Sequence, residues 1–120
     1  MLFAEIKQMV YKTAGLGDIV RKAVEGVPGI KAAFVYGSVA RGEEKPTSDI
    51  DLFVLGHLDR QGLSASLSQA ERQLDREINL VTMSVDEWRK RAAAKEGFIQ
   101  ELREAPKIFL VGDEQSLPRT

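Results

Sequence analysis

Two short apolar runs joined through a Gly-Ser turn limit what this chain can fold into: Phe34-Val35-Tyr36-Gly37-Ser38-Val39-Ala40-Arg41-Gly42, then Ser48-Asp49-Ile50-Asp51-Leu52-Phe53-Val54. The first run, Ile30 to Tyr36, is nearly all apolar and reads as a central strand covered on both faces. The second, Asp49 to Leu55, reads as another strand ended by Gly56, and it carries carboxylates at alternate positions. Side chains at i and i+2 of a strand share a face, so Asp49 and Asp51 point the same way. Like charges held that close repel and raise a pKa. A divalent cation relieves the repulsion, and hard carboxylate oxygens suit Mg²⁺.

The remaining patterns predict an α/β (α+β) domain with a small mixed sheet of about four strands flanked by helices. Leu2, Phe3, Ile6, Met9, Val10 and Thr13 recur at helical spacing and predict an amphipathic first helix. Gly15-Leu16-Gly17 predicts an interruption, and a second helix follows from Asp18 to Glu25 until Val27-Pro28-Gly29 breaks it. A short helix is expected from Ser38 to Arg41, then a polar loop from Glu43 to Ser48. Leu63, Leu67, Ala70 and Leu74 mark a helix over about 63–76, and Ile78 to Met83 a third strand. Ser84-x-x-Glu87 is a capping box opening a helix that carries Trp88. Phe98, Ile99 and Leu102 support another helix before Pro106, and Lys107 to Val111 a fourth strand stopped by Gly112. Ala92 to Lys95 and the polar tail after Asp113 read as short helical or frayed segments. One domain is expected overall, with residues 1–28 a helical segment packing on a core of residues 29–120.

At 120 residues the chain can bury a single core. Lys+Arg 17 against Asp+Glu 18 gives a net charge of −1, so no global basic field announces direct nucleic-acid binding. The chain has no cysteine, which excludes disulfides and thiolate metal sites. Its apolar runs are far too short to span a bilayer. Met1 to Glu5 lack a basic segment followed by an apolar stretch, so no signal peptide and a cytoplasmic location are expected.

The turn itself has a chemical reading. Gly37 lets the backbone approach a phosphate closely, because no Cβ intervenes. Ser38 adds a hydroxyl, and the helix starting there would present free N–H groups and its positive end to the β- and γ-phosphates. The plainer reading of the turn alone is a strand-to-helix junction with a serine N-cap. A phosphate-binding turn beside a Mg²⁺-binding carboxylate pair suggests chemistry on a nucleoside triphosphate. Arg41 would reach the phosphates, or form a surface ion pair with Glu43 or Glu44. Ser48 would cap the backbone entering the second strand and orient Asp49. Lys45 reads as a solvated loop lysine, His57 as a surface loop residue, and Tyr36 and Trp88 as core or rim aromatics.

Gly37-Ser38-x-Ala40-Arg41-Gly42 followed by Ser48-Asp49-Ile50-Asp51-Leu52 resembles the signature of the DNA polymerase β-like nucleotidyltransferases, in particular the minimal nucleotidyltransferase branch. The resemblance implies that fold. It also implies one or two Mg²⁺ ions held by Asp49 and Asp51, and a nucleotide held by Gly37, Ser38, Arg41 and Ser48. Active members commonly add a third carboxylate from a neighbouring strand, as general base or metal ligand. The matching strand is Glu77-Ile78-Asn79-Leu80-Val81, and the aligned position holds Asn79. An amide can coordinate a metal through its carbonyl oxygen but cannot take a proton at neutral pH. Glu77 would share the Asn79 face in a regular strand and is a candidate replacement ligand. Losing a general base costs about 10²–10⁴ in rate, so attenuated activity is expected.

Two functions follow from the resemblance. One is Mg²⁺-dependent transfer of a nucleoside monophosphate from an NTP, with ATP the expected donor, to an acceptor hydroxyl. Stand-alone modules of this kind resemble antitoxins that pair with a helical HEPN-domain toxin, which makes a protein tyrosine an acceptor. The other is a nucleotide-binding regulatory module with weak or no transferase activity, coupled to a winged-helix regulator as in two-domain relatives. The apolar face of the first helix offers a dimer or partner surface.

Overall fold

The structure, a computed structural model, describes residues 15–43 and 49–118. The helix expected over Leu2 to Thr13 lies outside the described residues. Helix α1 covers residues 15–25, β1 Ile30–Tyr36, α2 Gly37–Arg41, β2 Ile50–Gly56, α3 Arg60–Leu74 and β3 Ile78–Met83. Then follow α4 Val85–Ala93, α5 Gly97–Glu104, β4 Ile108–Val111 and a 3-10 helix, Glu114–Ser116.

The described strands form one sheet in the order β3-β2-β1-β4. β1 is central, as its unbroken apolar run requires, and it pairs antiparallel with both β2 and β4. β2 and β3 are parallel, joined by the α3 crossover. Side chains alternate between two cores. Ala33, Val35, Leu52 and Val54 face one core, which Leu16, Val20 and Val24 of α1 and Leu63 and Leu67 of α3 complete. Phe34, Phe53 and Leu55 face the other, closed by Trp88 of α4 and by Ile99 and Leu102 of α5. In this second core Phe34 stacks on Phe53 at 5.1 Å and Phe53 meets Trp88 edge-on at 5.4 Å. Burying each such side chain is worth about 1.5–3 kcal/mol, which is what holds helices on both faces of the sheet.

Several boundaries differ from the sequence reading, each for a local reason. Gly15, Leu16 and Gly17 are helical rather than a break. Leu16 forms one apolar stripe with Val20 and Val24, and that burial outweighs the modest helix penalty of glycine, about 1 kcal/mol per residue. α3 starts at Arg60 because the Asp59 carboxylate accepts the Gln61 N–H, an N-cap before the apolar periodicity begins. Ser84 caps α4 as expected, its hydroxyl accepting the Glu87 N–H at 3.1 Å. β4 begins at Ile108 rather than Lys107, whose ammonium turns instead to the end of α5. Its Nζ donates to the carbonyls of Arg103 (2.8 Å) and Ala105 (3.1 Å) and to Glu114 (3.0 Å), and its side chain is 2% exposed. After Asp113 the tail is a capped 3-10 helix that inserts Leu117 into the second core. No described helix is long and apolar enough to cross a membrane.

Candidate active site

Strand direction assembles the site. Antiparallel pairing sets the end of β1 beside the start of β2, so Tyr36 lies opposite Asp51. Parallel pairing sets the starts of β2 and β3 side by side, so Asp51 lies opposite Asn79. Tyr36, Asp51 and Asn79 therefore form a row across three strands on one face of the sheet. Asp49 stands one residue before β2, exposed, and reaches the same point. The Asn79 amide donates to Asp49 Oδ2 and Asp51 Oδ1, each at 3.3 Å. Two backbone N–H groups are held at the start of this pairing. Ile50 N–H donates to the Glu77 carbonyl, and Ile78 N–H to the Glu71 carboxylate, both at 2.8 Å.

Gly37 is required here for a reason the sequence did not announce. Its φ is +72°, a region that favours glycine, and a Cβ built on it would collide with the Asp51 carboxylate. The residue that opens α2 thus makes the seat of the second carboxylate. Gly42, also at φ +72°, closes α2 in a Schellman turn: its N–H donates to the Val39 carbonyl and the Glu43 N–H to that of Ser38. Ser38 is not an N-cap. The helix starts at Gly37, Tyr36 holds the cap position, and no side chain caps it. The turn is the strand-to-helix junction of the plainer reading, without its serine cap.

A cleft of about 720 Å³ opens beside Asp51, with Tyr36, Gly37, Ser38 and Arg41 on one wall and α5 on the other. Arg41 Nε donates to Glu43 at 3.2 Å in an exposed ion pair, the surface partner the sequence offered, while its side chain also lines the cleft. Exposed pairs of this kind are worth little, so the guanidinium is readily drawn to a stronger anion. Burial and then the Asp51 charge raise the Tyr36 phenol above its ordinary value of 10.0, which keeps it protonated.

Ser48 and Lys45 lie outside the described residues. Glu77 stands one residue before β3, as Asp49 does before β2. Its backbone carbonyl is engaged by Ile50, its side chain is exposed, and among the described residues no three His, Cys, Asp or Glu side chains gather. His57 is exposed at the opposite end of β2. Two participants were missed. Glu71 carries no sequence mark beyond its place near the end of α3. The α5 wall was read only as core, although Phe98, Glu101, Leu102 and Ala105 recur at i, i+3, i+4 and i+7 and so share one face.

The donor set fits Mg²⁺. The exposed Asp49 carboxylate and the half-buried Asp51 carboxylate converge on one point occupied by a polar N–H group, and a half-turn of the Asn79 amide would present its oxygen there instead.

A Gly-Ser turn bearing on an aspartate pair, in a four-stranded mixed sheet with helices on both faces, is the architecture of the polymerase β-like nucleotidyltransferase fold. The family "Polymerase beta, Nucleotidyltransferase" matches residues 19–107, well over half of the chain, and the chain belongs to it. No curated protein matches by sequence. Among solved structures the chain is similar to a toxin-antitoxin crystallised with AMP-PNP, at 20% identity over 82% of this chain and 75% of that one, TM-score 0.55. It is also similar to a mutant of the toxin-antitoxin MntA-HpeT, at 19% identity over 86% of this chain and 75% of that one, TM-score 0.56. At such identities the likeness shows the fold.

Proposed function

We propose that this chain transfers a nucleoside monophosphate from an NTP, with ATP as donor, to a hydroxyl of a partner protein. The observation that carries this reading is the seat of Asp51 against Gly37, which ties the turn and the carboxylate pair into one site at the mouth of the cleft. Asp49 and Asp51, with the Asn79 amide oxygen, would hold Mg²⁺. When bound, the metal would neutralise charge on the triphosphate and lower the pKa of the attacking hydroxyl. Gly37 and Ser38 bring an uncapped backbone and a hydroxyl to the phosphates, and Arg41, freed from Glu43, adds a bidentate donor. The Tyr36 phenol stays protonated and so offers a neutral donor beside Asp51. The toxin-antitoxin neighbours support a protein partner of that kind, a HEPN-type toxin among the candidates.

One observation favours a second reading, a nucleotide-binding module with weak transfer. Asn79 donates to both carboxylates and cannot act as a base. Incubation with α-labelled ATP and a partner encoded by the neighbouring gene tests the two. Label on the partner supports transfer, and an Asn79→Asp variant that labels about 10²-fold faster would show an attenuated native site. Intact ATP binding with no label in either protein refutes transfer and leaves the binding module.

A further inference from the structure

The cleft beside Asp51 is one-sided. Its described walls hold Gly37, Ser38 and Arg41 of the turn, while Asp49 and Asn79 lie outside it, toward β3. In-line displacement sets the attacking and leaving oxygens on opposite sides of the phosphorus. With the phosphates at the turn, the acceptor then arrives from the Asn79 side, and among the described residues the cleft is the space that receives the rest of the donor nucleotide.

The far wall of the cleft is α5. The pairing of Val35 with Ile108 brings the chain just before β4, Ala105 and Pro106, close to Tyr36 and the turn. From Ala105 back to Phe98 the helix runs roughly 10 Å, at 1.5 Å per residue, away from the phosphates. Phe98, Glu101, Leu102 and Glu104 lie on the cleft side of this stretch. Phe98 keeps part of its ring exposed, and Glu101 is exposed with no ion pair among the described residues. Of the two α5 carboxylates on the cleft, Glu104 adjoins Ala105 at the phosphate end, and Glu101 lies nearer Phe98, toward the end left for the base. There it is an acceptor without a donor, matched by an exocyclic amine of a base.

Resting on the nucleotide-site reading above, we infer that α5 forms the nucleobase wall. Phe98 is the stacking ring, and Glu101 is the residue that selects bases with an exocyclic amino group, such as adenine, over their oxo counterparts. A carboxylate accepts from the 6-amino group of adenine and repels the 6-oxygen of hypoxanthine. Glutamine in its place can turn its amide to either.

Calorimetry with Mg²⁺ and either ATP or ITP, which differ at that 6-position, tests the inference in a binding readout. The wild type is expected to bind ATP at least tenfold more tightly than ITP. Glu101→Gln, an exposed substitution, brings the two within about twofold by improving ITP, whereas Phe98→Leu weakens both alike. Equal affinities for ATP and ITP in the wild type, or an unchanged preference in Glu101→Gln, overturn the inference and leave the nucleotide site standing. Failure of the wild type to bind any nucleoside triphosphate overturns the nucleotide-site reading itself.

Discussion

Replacing Gly37 by alanine separates two demands that the structure places on one residue. The backbone at φ +72° costs an L-residue about 1–2 kcal/mol wherever it occurs. The new methyl group also meets the Asp51 carboxylate, with Cγ at 3.2 Å and Cβ at 3.5 Å. The last is ordinary van der Waals contact, so the conflict lies with the carboxylate alone. Overpacking of this sort adds about 1–3 kcal/mol, for roughly 2–5 kcal/mol in all. In an Asp51→Ala background the carboxylate is gone, and the same Gly37→Ala change is expected to cost only the 1–2 kcal/mol of backbone strain. Gly42→Ala is the control: it has the same φ, and nothing lies within 4 Å of a Cβ there. Urea unfolding of the four proteins of the cycle measures the coupling, expected at about 1–3 kcal/mol. A Gly37→Ala cost that is identical with and without the Asp51 carboxylate refutes the claim that the glycine exists to seat it.

Further outcomes follow from the same contacts. Lys107→Met strands the carbonyls of Arg103 and Ala105 and is expected to destabilise by roughly 2–3 kcal/mol in urea, while Glu114→Gln, which alters only its exposed partner, changes stability by under about 1 kcal/mol. Glu71→Ala removes the acceptor of the Ile78 N–H at the start of β3, and hydrogen exchange of that amide is expected to speed at least tenfold with the rest of the sheet unchanged. Burial, and then Asp51, raise the Tyr36 phenol above 10.0, so the folded state holds that proton more tightly than the unfolded chain does. The contribution is whole below about pH 10 and is lost as the pH climbs through the raised folded value. Tyr36→Phe is therefore expected to flatten the alkaline loss of stability, and an unchanged slope contradicts the assignment.

Much of this fold was readable from residue patterns, because β1, β2 and β3 are marked by apolar runs with sharp ends and the Asp pair by its period of two. The short helix after Gly37 and the Ser84 cap were equally local signals. What escaped detection was set by contacts between distant segments. Gly15 and Gly17 look like a break until Leu16 is seen to complete the first core. Lys107 looks like the first residue of β4 because its partners, 2 to 7 positions away on either side, form no pattern in the sequence. At the site, Asp49, Asp51 and Gly37 follow from spacing and Asn79 from the family resemblance, and the four come together as the strand directions require. The motive for Gly37, the engagement of Asn79 with both carboxylates and the α5 wall required the third dimension.

Asp49 and Asp51 are proposed to form a cation-assisted nucleotide site with the Gly37-Ser38 turn. Calorimetric titration of the wild type, Asp49→Ala and Asp51→Ala with ATP, with and without Mg²⁺, tests it most directly. Mg²⁺-dependent binding is expected in the wild type, with at least a tenfold loss in each variant. Affinity unchanged in both variants, or indifferent to Mg²⁺ in the wild type, would contradict it.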